Sequence, residues 1–295
     1  MKSKKLKYGL VIIFSGLLLT LNVFAFILED KKYQKDIHYN NEREVKVNIE
    51  SAFGRVNVQR GEKDYIVQME IISDTKHGDP LRYINYNVSD KIGFLTIPSD
   101  GESSGKKSFH FSGFDSRKTY LDFTDKIPIS FDIELGAGRG NFDFTGLMVK
   151  DLNISTGASS VEIAFDKLNP STIDYMNIET GVSKFKARNL SNANFNSLRF
   201  SGGVGTYDLD FGGSLNKEVD VNIEIGLGSL TLEIPEYIGA KIMYEKNWLS
   251  GIDLDNEFSE KSENEYLTDN YSSAKGRMNI KIEAGLGSVK VKVTK

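Results

Sequence analysis

Along most of the chain, apolar and polar residues alternate one for one, and the alternation slips at a recurring place. In Leu152–Phe165 the inward-reading set is Leu152, Ile154, Thr156 and Ala158. After a step of three it resumes at Val161, Ile163 and Phe165. The same slip follows Phe53, Ala137, Val182, Val204, Leu227 and Leu286, each read as the last inward residue before the step. Period-two alternation predicts strands with one buried face. One extra residue would turn the next apolar set outward. A set that returns inward therefore predicts a bend or bulge at the step.

Small residues mark that step. Gly136, Gly157, Gly181, Gly203, Gly226 and Gly285 lead it, and Gly138, Ser159, Ser183, Gly205, Gly228 and Gly287 follow two positions on. The leading glycines are read as structural corners with positive φ, which glycine adopts without steric cost. In the first copy, Ala52 leads and Gly54 follows, which predicts a less sharp corner. From Gly136 to Gly226 the spacings are 21, 24, 22 and 23 residues.

Even spacing with two short strands per repeat predicts an all-β, single-stack, β-helix-like solenoid with coils of about 21–24 residues. A β-sandwich is the alternative, but it would not place the same corner in each repeat. The predicted organisation is an N-terminal segment at 1–30, a β region at 31–128 and the repetitive solenoid at 129–295. An acidic excursion at 243–277 interrupts the last part. Within it, Trp248, Phe258 and Tyr266 are read as a cap over the final coils or as a partner-binding surface. The acidic residues around them discourage pairing between strand edges.

The N-terminus sets a compartment. Lys2, Lys4, Lys5 and Lys7 precede the apolar stretch Leu10–Leu21, and Val23-Phe24-Ala25 offers a cleavage site. Tyr8–Leu28 is also long enough for one membrane span, so a retained anchor stays open beside a cleaved signal. Both readings export the rest, to the periplasm or the cell surface. Removing residues 1–25 takes away four lysines and no acid, moving the formal net charge from −4 to −8. Such a balance gives no electrostatic footprint for nucleic acid. Membrane contact is then expected only through an uncleaved N-terminal segment.

Little of the chain reads as catalytic. With no cysteine there is no disulfide scaffold, thiolate metal site, cysteine nucleophile or lipoprotein anchor. The three histidines, His38, His77 and His110, all precede the main repeat block, so no Ser/His/Asp set can be drawn. The glycine clusters at Gly136–Gly140 and Gly202–Gly205 lack phosphate-loop spacing and a following helix. Asp208/Asp210 and Asp253/Asp255 alternate as on a solvated strand face, without a calcium motif. No cofactor, metal or catalytic residue is expected.

The runs DFTGLMVKDLNISTGASSVEIAF, LSNANFNSLRFSGGVGTYDLDFGG and VNIEIGLGSLTLEIPEYIGAKI resemble the toast-rack family of bacterial envelope β-solenoids. These are similar to adhesin-like domains and to the C-terminal part of cell-wall-active antibiotic response proteins. The ending NYSSAKGRMNIKIEAGLGSVKVKV resembles the family's last coil, and residues 45–130 its N-terminal companion region. The resemblance implies a non-enzymatic scaffold or adhesin-like module, with an envelope protein or surface glycan as partner. A regulator of cell-envelope stress signalling is the alternative.

Overall fold

In the computed structural model, residues 30–73, 79–99, 117–245 and 249–295 are described. The alternating segments form strands. They are β1 (Lys31–His38), β2 (Glu44–Arg60), β3 (Tyr65–Ser73), β4 (Asn85–Ser89), β5 (Ile92–Ile97), β6 (Lys118–Phe123), β7 (Pro128–Asp143) and β8 (Met148–Ala164). There follow β9 (Ile173–Arg188), β10 (Phe195–Asp210), β11 (Glu218–Pro235), β12 (Gly239–Glu245), β13 (Ser250–Leu254), β14 (Phe258–Ser262), β15 (Glu265–Thr268) and β16 (Arg277–Thr294). The seven long ones, β2, β7 to β11 and β16, each carry two buried runs in opposite phase.

All join one open sheet of 16 strands. Its spine β2-β7-β8-β9-β10-β11-β16 is parallel, each strand a full coil further along. The β2–β7 ladder joins Val45–Val58 to Ile129–Phe142, so strands from both sides of residue 128 lie in one sheet.

The inner faces stack identical positions into apolar columns. Val47, Phe131, Leu152, Met176, Leu198, Val221 and Ile280 are one such column, and all are buried. Phe131, Phe144 and Phe165 stack along the same core at ring separations of 5.3 and 5.2 Å. The turns between coils are held by asparagine amides. Asn169 Nδ2 donates to the carbonyls of Val149 and Ala193, and Asn192 Nδ2 to that of Phe165. These buried side chains replace the backbone partners that the turns lack.

Two readings of the bend are corrected. The residue before the step does not point inward: Phe53, Val182, Val204, Leu227 and Leu286 are 38–62% exposed. Positive φ does not fall at the leading glycines either. It falls two residues later, at Gly54, Gly138, Gly228 and Gly287. At Gly228, φ is +143°, where an L side chain is strained.

The leading glycines answer a different constraint. A Cβ on Gly226 would lie 2.7 Å from the carbonyl oxygen of Gly203 in the preceding coil, and one on Gly136 would lie 2.6 Å from that of Ala52. The strand ladders also skip this row, as between Ile225↔Ala284 and Leu227↔Leu286. Close coil-to-coil approach, not backbone angle, requires glycine there.

At both ends a full coil gives way to two short strands. β5 pairs with the first half of β2 and β6 with the second. At the far end β12 and β13 pair in the same way with β16. β16 sits between β11 and β12, so the excursion that precedes it in sequence lies outside it in space.

Candidate functional site

The bend creates an outer surface with four parallel rows. Its crest is the in-register row Phe53, Ala137, Ala158, Val182, Val204, Leu227 and Leu286. Monomeric proteins scatter exposed apolar side chains singly. Here the coil repeat aligns five large ones, with two alanines, along one edge. Beside the crest the leading glycines, all exposed, form a furrow of bare backbone. At the β10–β11–β16 end it widens into an open groove of about 470 Å³, lined by Ser201, Glu224, Gly226, Glu245, Glu283 and Gly285 among others.

Charge divides the two flanks. Beyond the furrow runs Glu50, Glu134, Ser155, Glu179, Ser201, Glu224 and Glu283. On the other side of the crest runs Arg55, Arg139, Ser160, Lys184, Thr206, Ser229 and Ser288. No base stands in the first row and no acid in the second. Among the described residues, Arg55, Arg139 and Lys184 have no ion-pair partner, and neither have Glu134 and Glu179. Near the groove, Lys281 bridges Glu283 at 2.6 Å and Glu245 at 2.9 Å. These two carboxylates, Glu283 foremost, hold its ammonium charged well above the usual lysine range.

The other residues singled out in the sequence have structural surroundings. The six leading glycines lie together along the furrow. Trp248 falls outside the described residues. Phe258 and Tyr266 are half-buried against the apolar core. Asp253 pairs with Lys290 at 3.5 Å, and Asp255 accepts the Val293 N–H at 2.9 Å. Asp210 accepts the backbone N–H groups of Gly212 and Asn189, so it holds a turn. His38 packs on Tyr65 at 4.6 Å, while His77 and His110 fall outside the described residues. Among the described residues, no three His, Asp or Glu are grouped to hold a metal ion. Nor is any helix there long and apolar enough to cross a membrane.

An interior polar cluster was not visible in the sequence. Among the described residues, the fully buried Tyr207 hydroxyl lies near Thr180 without a hydrogen bond inside 3.5 Å, and the Thr156, Ser159 and Ser183 hydroxyls have no hydrogen-bond partner. Burial pushes the Tyr207 phenol up, and Thr180 beside it pulls the other way. Gly202 leaves the space that the Tyr207 ring fills.

A solenoid-like, open all-β stack that folds each coil over a glycine-lined bend defines the class of this protein. Its sequence matches the family described as the N-terminal domain of toast_rack (DUF2154) over residues 27–188 and 167–233. The chain belongs to the toast-rack family, and the match runs on from the N-terminal region through β11. No curated protein matches it.

Among solved structures it is similar to a "putative cell adhesion protein" from Clostridium sporogenes, at 24% identity and a TM-score of 0.46. That likeness covers 90% of this chain and 100% of the other. It is also similar to a "putative adhesin" from Bacteroides fragilis, at 15% identity and a TM-score of 0.41, covering 90% and 99%. A "putative lipid binding protein" from Parabacteroides distasonis follows at 12% identity and 0.30, covering 88% and 97%. Likenesses at this level carry no functional argument.

Proposed function

We propose that the protein is an exported, non-enzymatic component of the cell envelope that works as an interaction module through the outer edge of its bend. The alignment of Phe53, Val182, Val204, Leu227 and Leu286 on that edge carries the reading. A core has no use for exposed apolar side chains in register, whereas a protein interface does. Export is supported by the basic start and apolar stretch of residues 2–25 with the Val23-Phe24-Ala25 site. The scaffold and adhesin-like roles both fit a long, regular stack that presents one surface several coils long.

The test is a photo-crosslinking side chain at Val204 in the full chain, compared with one at Lys186, in intact cells. Adducts to protein at position 204 and none at 186 are the expected result, together with protease access to the stack from outside the inner membrane. Equal crosslinking at the two positions would refute the edge as the interaction surface. Full protection of residues 31–295 in spheroplasts would refute export.

A further inference from the structure

We propose that the partner on this edge is a second copy of the same chain, lying side by side with its stack running in the same direction. The inference rests on the reading of the edge as an interaction surface and adds the identity of the occupant. Two features of the edge make it complementary to itself.

The first is shape. Crest and furrow run next to each other along seven coils. Rotate a second copy by half a turn about an axis parallel to the stack and shift it sideways by one row. Its crest then lies in the first copy's furrow, and the first crest lies in the second furrow. The glycine row can receive a neighbour's side chain because the preceding coil forbids it one of its own. This is an isologous contact, closed at two copies.

The second is charge. The same half-turn sets each acidic flank against the partner's basic flank. Glu134 then faces the rung of Arg139 in the other copy, and Glu179 the rung of Lys184. Those four side chains have no ion-pair partners within the described residues of one chain. A half-turn about the perpendicular axis, which would run the stacks in opposite directions, sets acid against acid and base against base. Like charges so placed disfavour that arrangement.

Seven rungs at about 4.8 Å give a contact strip about 29 Å long and a few residue rows wide. That is the size class of weak, reversible complexes. The dimer is expected where the local concentration is high, as on a crowded surface.

The chain contains no cysteine, so a single introduced one is its only thiol. In the full chain under mild oxidation in native envelopes, Leu227→Cys should form a disulfide-linked dimer. Co-expressed Glu179→Cys and Lys184→Cys copies should join each other, since they share a rung across the two-fold. Co-expressed Ala137→Cys and Leu227→Cys copies should not form a mixed dimer, because only the opposite direction brings those rungs together. With Leu227→Cys as reporter, Glu134→Arg should lower the dimer fraction several-fold. Adding Arg139→Glu to that chain should restore it, because the swap returns opposite charges to each other.

A mixed Ala137/Leu227 dimer would overturn the direction, and no dimer at Leu227→Cys would overturn the proposal. Leu227→Cys adducts only to a different protein would overturn it as well, while leaving the edge as an interaction surface. Absence of any protein at position 204 in the photo-crosslinking experiment would instead remove the reading beneath it.

Discussion

Ala52 in the first coil and Gly226 in an interior coil occupy the same place in the bend, and only one of them has to be glycine. The difference lies in the neighbour. Each Cβ at this place points toward the preceding coil. Gly226 has the Gly203 carbonyl there, at 2.7 Å from a Cβ. On the corresponding side of β2, the pairing with β5 stops at Ile49 and that with β6 starts at Arg55, so no described strand pairs with the residues between. The end of the stack therefore tolerates a side chain that the middle forbids. A rule that looks like turn chemistry in one coil is a packing rule between two.

The largest effect should come from Gly226→Val, because two backbones must separate to admit the side chain. We expect a cost of about 3 kcal/mol and a melting temperature lowered by several degrees. Ala52→Val and the exposed Asn222→Val should each stay within about 0.5 kcal/mol. Thermal or urea unfolding of the three variants checks this. A loss at Ala52→Val as large as at Gly226→Val would break the comparison between end and middle.

A smaller effect separates two buried tyrosines. Near the far end, the Tyr244 hydroxyl bonds the Ser250 hydroxyl at 2.6 Å. In the middle, the Tyr207 hydroxyl has at most a long contact with Thr180 among the described residues, while its ring packs on Phe200 at 5.3 Å. Tyr244→Phe should cost about 1 kcal/mol, and Tyr207→Phe should be neutral or stabilising by a similar amount. Urea midpoints measure both. A clear loss at Tyr207→Phe would mean that its hydroxyl is bonded after all, to Thr180 or through ordered water.

The smallest effect concerns ion pairs between coils. Arg188 bonds both Asp166 oxygens at 2.9 Å and, with help from Asn189, holds that carboxyl below its ordinary range. The folded value lies below the unfolded one, so the contribution is present at neutral pH. It is lost as pH falls through the folded carboxyl's value, below about 4. Arg188→Ala should therefore lower the melting temperature slightly at about pH 6 and not at about pH 2. Because the pair is substantially exposed, salt should shrink the difference. A difference that persists in acid would assign it to packing.

The coils were legible because alternation and its slip are local properties, repeated often enough to be read without a neighbour. What lies at the slip was not. Alternation says that one residue of the step must leave the core, but both Thr156 and Ala158 satisfy the pattern. Only the stacked coils show that Thr156 stays in and Ala158 goes out. The two small residues of each bend also look interchangeable in sequence. Their different duties, clearance alone at Gly226 and clearance together with a positive φ at Gly228, appear only once the preceding coil is in place. For that reason the apolar crest was hidden: its members read as core. The order β11-β16-β12 was equally invisible, since spacing records distance along the chain and not the slot that a strand enters.

That slot sets an order of events. Between interior coils the side-chain bonds join residues 20–27 apart, and a stack of that kind can grow coil by coil as the chain emerges. Arg277 reaches Glu218 across 59 residues. Until β16 arrives, β11 keeps an open edge, β12 has only β15 beside it, and β13 has no strand to lie against. The excursion must be made first and set aside, then receive its neighbour. Coil-by-coil growth is then expected from β7 to β11, whereas the first pairing, Val47 with Phe131, and the last, β11 with β16, each close a longer loop and should form more slowly.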